Sequence, residues 1–74
     1  MSKVSIIGQI AEIDREIGMR QNVYQKQISN GRMRQSEADM LMQRIKAVRA
    51  TLVFCQENED DIRAYIAAKK AGAE

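Results

Sequence analysis

Two heptad-spaced apolar stripes and the one Asn-Gly turn signal between them predict an all-α fold. The expected architecture is an antiparallel helical hairpin of two long helices that dimerises into a four-helix bundle. Composition agrees: the 74 residues include no Pro and only four Gly, so little in the chain interrupts a helix. The whole chain, 1–74, reads as a single hairpin domain, with a helix over about 4–29, a turn over about 30–35 and a helix over about 36–69.

The first stripe is Ile6, Ile10, Ile13, Ile17 and Tyr24, with Arg20 where another apolar residue would keep the rhythm. Ile7, Val23 and Ile28 widen it, while Gly8 and Gly18 each weaken the helix by about 1 kcal/mol relative to Ala. Ser29-Asn30-Gly31-Arg32 then punctuates the chain, and Gly31 suits the left-handed residue that ends a helix. Ser36, with Asp39 three residues on, is the expected N-cap of the second helix. Its stripe is Ala38, Leu41, Ile45, Val48, Leu52, Cys55, Ile62 and Ile66, with Glu59 filling one expected apolar place. A helix to Lys69 would hold about 34 residues and span roughly 50 Å.

Centring the turn near residue 33 places residue i opposite residue 66 − i. Ile28 is then expected near Ala38, Tyr24 near Leu41 or Met42, Ile17 near Val48, and Ile6 near Glu59 or Asp60. The second helix overruns the first, leaving Tyr65 and Ile66 without an intrachain partner. Self-association is therefore expected through Ile45, Val48, Leu52, Ile62, Tyr65 and Ile66.

The sequence also narrows the chemistry. There is no His, so there is no imidazole base or ligand, and a single Cys excludes a disulfide framework and a CxxC zinc site. No catalytic residue, metal ligand, cofactor or small-molecule substrate is expected. Cys55 lies on the apolar stripe and reads as a small hydrophobe. The run Glu57, Asn58, Glu59, Asp60, Asp61 lacks the Gly turn and ligand spacing of a calcium loop and reads as a solvated helix segment. No stretch resembles a signal peptide or a membrane span, and the unpaired Cys fits a reducing cytoplasm.

Charge is unevenly distributed. Eight basic residues (Arg15, Arg20, Lys26, Arg32, Arg34, Arg44, Lys46 and Arg49) oppose Glu16, Glu37 and Asp39, giving +5 over 15–49. Over 50–74, Arg63, Lys69 and Lys70 oppose Glu57, Glu59, Asp60, Asp61 and Glu74, giving −2. The candidate partner-binding residues are Arg20 and Tyr24, one helical turn apart, together with Arg32, Arg34, Arg44 and Arg49 toward the turn. Arg20 reads either as a stem laid on the core and paired with Glu16, or, with Tyr24, as a recognition spot. The basic cluster reads either as a solvated face or as a nucleic-acid backbone contact. Aromatic interleaving for base stacking is lacking.

The segment REIGMRQNVYQKQISNGRMRQSEAD resembles a group of small phage and prophage proteins. The matching residues are Glu16, Met19, Arg20, Val23, Tyr24, Gly31, Arg32, Met33, Ala38 and Asp39. The likeness continues through Ile45, Val48, Thr51 and Leu52 and covers residues 12–52. Members often carry Pro after the Tyr, where this chain has Gln25, and Ser or Thr after the Met, where it has Arg34. The resemblance implies a phage setting, a bacterial host cytoplasm and the hairpin, and it carries no mechanism. The function expected on this basis is a non-enzymatic accessory protein that binds a host or phage protein, for instance as an inhibitor of host defence or nucleic-acid-processing machinery. The alternatives are direct nucleic-acid-backbone binding through the basic tip and a purely structural phage protein.

Overall fold

The computed structural model describes residues 3–72. It contains three helices, α1 (Ile6–Ser29), α2 (Gln35–Glu57) and α3 (Glu59–Gly72), and no strand among the described residues. α1 and α2 pack together as a hairpin, whereas the backbone of α3 neighbours only the end of α2.

α1 begins at Ser5, in extended backbone, whose hydroxyl accepts from the Gly8 N–H at 3.1 Å. That bond satisfies one of the donors a helix start leaves free. Gln25 lets the helix run through to Ser29 without a break. It ends in a Schellman motif: the Arg32 N–H reaches the Gln27 carbonyl at 2.9 Å and the Gly31 N–H the Ile28 carbonyl at 3.1 Å. Gly31 has φ +72°, which a side chain would strain.

α2 starts where the sequence implies, at Gln35, but Ser36 does not cap it. Its cap is Arg34, in extended backbone, with no side-chain capping bond, and Ser36 already lies inside the first turn. The turn uses only Asn30 to Met33 before the chain extends at Arg34, so the first helical carbonyl is that of Arg34, 3.1 Å from the Ala38 N–H. Asp39 instead accepts from the Gln35 side chain at 2.9 Å.

The larger correction is at Asn58, where the expected single helix over 36–69 divides. Asn58 has φ −114° and ψ 18°, and its side-chain amide donates to the Phe54 carbonyl at 2.9 Å, which also receives the Asn58 backbone N–H at 3.1 Å. Asn competes for backbone carbonyls in this way, which makes it a poor interior helix residue. The acids that follow gain by the division. Glu59, Asp60 and Asp61 form the first turn of α3, and Lys69 and Lys70 its last turn, so both ends complement the helix dipole.

The hairpin interior is thin. Among the described residues only Ala38 and Ile45 are buried, at 5% and 9% exposure. Ile6, Ile10, Ile13, Ile17, Tyr24 and Ile28 are half-buried along α1, as the stripe predicts, and Arg20 keeps its place among them. Ile28 and Ala38 line one cavity with Tyr24 and Met42, and Ile6 shares a cleft with Glu59, in keeping with the expected register. On α2 the seam follows Ala38, Leu41, Ile45, Arg49 and Leu52. Val48 leaves it, at 47% exposure, and lines a cleft with Ile13 rather than Ile17. A straight helix drifts about 20° per heptad, so one strict seven-residue row cannot stay in a single seam.

The molecule is a rod of 59 × 24 × 21 Å with a radius of gyration of 17.8 Å. A compact chain of 74 residues would have a radius of gyration of about 11 Å. Its accessible surface, 6223 Å², likewise exceeds the roughly 4,600 Å² of a compact 8.4 kDa monomer.

Candidate functional site

Two surfaces stand out: the basic turn end and the apolar flank of the rod. At the turn, Gly31, Arg32, Met33, Arg34, Ser36 and Glu37 line an open concavity of about 610 Å³ that reaches Met40. The tight Gly31 turn puts Arg32 and Arg34 at the exposed end of the hairpin. Both flank the start of α2, whose uncapped N–H groups carry the positive end of the helix dipole. This end can attract an anionic group by charge, and Glu37 partly offsets it.

Arg20 is held differently. Its Nε donates to Glu16 Oε1 at 2.8 Å, one turn earlier, and both side chains are roughly one-third exposed. The Glu16 hydrogen bond is the main cause that holds the Arg20 guanidinium above its ordinary pKa, and Tyr24 adds to it. Tyr24 is half-buried over the cavity that it shares with Ile28, Ala38 and Met42. Arg20 and Tyr24 thus form a fixed patch on α1, with the stem of Arg20 in the apolar row.

The six partner-binding candidates do not form one cluster. Arg32 and Arg34 sit at the tip, Arg20 and Tyr24 on α1, and Arg44 is exposed on α2. Arg49 turns to α1, where its Nε donates to Asp14 Oδ1 at 2.6 Å, and this bond raises its pKa. The pair pins the two helices together and neutralises one of the charges counted in the basic segment. Asp14 carried no signal of its own in the sequence, because its partner lies 35 residues away. Arg15 similarly pairs with Glu12, and its hydrogen bond holds the Glu12 carboxyl below the ordinary range.

The self-association candidates divide in two. Ile45 belongs to the hairpin's own interior and Leu52 is half-buried, whereas Val48, Ile62, Tyr65 and Ile66 are exposed. Tyr65 reaches 67% exposure, beyond the end of α1. Phe54 was not signalled by the stripe and is 62% exposed, on the side of α2 away from Leu52 and Cys55. Val4, Ile7, Met19, Val23 and Met40 add further exposed apolar surface.

Cys55 is free and half-buried, in a cleft with Ile6, Glu59, Ile62 and Arg63. No group of three or more His, Cys, Asp or Glu side chains that could hold a metal ion occurs among the described residues. No helix among them is long and apolar enough to cross a membrane. Compared with known protein families, curated proteins and solved structures, the chain matches none of them.

Proposed function

We propose that this chain is a small phage or prophage accessory protein that acts by binding a macromolecular partner, not by catalysis. It self-associates as a dimeric four-helix bundle in the host cytoplasm and binds a host or phage protein of the defence or nucleic-acid-processing machinery. The observation that carries the binding reading is the exposed apolar side chains on a rod that buries only two residues among those described. A fold this thin gains most of its stability by covering that surface with another chain. The phage setting rests on the sequence resemblance over residues 12–52.

A second reading is direct binding of a nucleic-acid backbone at the tip, favoured by the concavity between Arg32, Arg34 and the uncapped start of α2. One experiment separates the two: capture of partners from host lysate by the unmodified protein and by Tyr24→Ala, each with and without nuclease. Capture that survives nuclease and fails with Tyr24→Ala supports the protein-binding reading. Capture that disappears with nuclease refutes it in favour of the tip.

A further inference from the structure

We infer that the apolar row along α2 and α3 is covered by a second copy of this chain running antiparallel, with Val48 of one copy against Ile62 of the other and Cys55 beside the two-fold axis. This rests on the self-association proposed above and adds its face and direction.

The face follows from spacing. Val48, Cys55 and Ile62 recur every seven residues, a stretch of two heptads short enough to keep them near one side of the rod. The division at Asn58 does not destroy that phase. The i to i−4 ladder is interrupted there, with bonds kept from the Asn58 N–H to the Phe54 carbonyl at 3.1 Å and from the Ile62 N–H to the Asn58 carbonyl at 2.9 Å, but Cys55 and Ile62 still line the same cleft on either side of it. Two clefts open along this row. One, of about 440 Å³, is lined by Val4, Gly8, Ile13, Val48 and Leu52, and the next, of about 240 Å³, by Ile6, Cys55, Glu59 and Ile62. α1 begins at Ile6 and cannot cover the row further along α3.

The occupant follows from area and charge. The rod exposes about 1,600 Å² more than a compact monomer of its mass, against the roughly 800 Å² per partner that a standard interface buries. Charge then selects the direction. A parallel pair would stack Glu57, Glu59, Asp60 and Asp61 on themselves and the basic half of α2 on itself. Reflecting the rod through Cys55 instead brings the exposed Lys46 of one copy within a turn of Asp60 and Asp61 of the other. It also brings Lys69 within a turn of Asp39. Opposite charges then meet at both ends of the contact, and the two rods overlap over most of their length.

Sedimentation equilibrium of the full chain measures self-association, and a mixed crosslink reads its direction. Two chains carry Cys55→Ser, one with Val48→Cys and the other with Ile62→Cys. Both introduced sites are exposed, so neither variant opens the interior. After refolding together and oxidation, the mixed disulfide should exceed either self-crosslink about tenfold, because Cα atoms more than about 7 Å apart cannot be bridged. The dimer of the unmodified chain should also weaken as salt rises. Dominant self-crosslinks, or a dimer that tightens with salt, overturn the antiparallel arrangement and leave the self-association reading standing. A dimer that forms neither crosslink puts the contact on another face and overturns the inference equally. A monomer mass with intact helix content overturns the inference and the self-association reading together.

Discussion

At the scale of single residues, Gly31 and Glu12 make the sharpest claims. The chain reverses through Gly31 at φ +72°, where a Cβ is strained although nothing within 4 Å would touch it. Gly31→Ala should therefore cost about 1 kcal/mol, from backbone conformation alone, measured as a lower urea midpoint with unchanged m-value. Glu12 is paired with Arg15, and that hydrogen bond depresses its pKa from the ordinary 4.5. A depressed carboxyl contributes stability that is fully present above its unfolded pKa and is lost as pH falls through the folded one. Acid titration of the helix signal should show this loss below about pH 4.5, and Glu12→Gln should flatten that part of the curve. Gly31 was legible in advance, because Asn-Gly between two apolar stripes has few other uses. The Arg49–Asp14 bond was not, since it joins positions 35 residues apart that no local rule links.

At the scale of elements, the hairpin and its register near the turn follow from spacing, since Tyr24, Ile28, Ala38 and Met42 line one cavity. Two features escaped the spacing. Val48 satisfies the heptad but stands outside the seam, because Arg49 and Asp14 take the inner position and a straight helix precesses against a seven-residue repeat. Asn58 lies within a continuous apolar rhythm, yet its side chain takes the Phe54 carbonyl and the acids after it open a new helix. Periodicity reports which face is apolar and is blind to this competition for a carbonyl. Asn58→Ala removes the competitor, so α2 and α3 should join with higher ellipticity at 222 nm and little change in which residues are protected. At the other end, Ser5→Ala removes the hydroxyl that caps α1 and should cost about 1 kcal/mol of stability in thermal unfolding.

At the scale of the whole molecule, the shape is consistent with the proposed self-association. Its radius of gyration, 17.8 Å, is that of a rod, and nearly all of its described apolar residues are half-buried or exposed. Ile62→Asp places a charge on the exposed row of α3, away from the Ala38–Ile45 interior. It should weaken association at least tenfold in sedimentation equilibrium while leaving the circular dichroism of the chain close to unchanged, since 1.4 kcal/mol at one interface residue is enough for that factor. Tyr65→Ala should act in the same direction. The candidate partner residues were legible as types, Arg and Tyr at exposed or seam positions. Their scattering over tip, α1 and α2 became visible only once the turn and the Arg49–Asp14 pair fixed where each side chain stands.

The Schellman turn at Gly31 has a kinetic corollary. Every contact between α1 and α2 can form by zippering outward from that reversal, with no long loop to close before the first favourable contact. The hairpin should therefore be a fast folder whose rate-limiting ensemble is already structured near the turn. Gly31→Ala would then act mainly by slowing refolding. Truncating Ile6 at the open end to Ala would act mainly by hastening unfolding, a split that the two arms of a stopped-flow chevron would display directly.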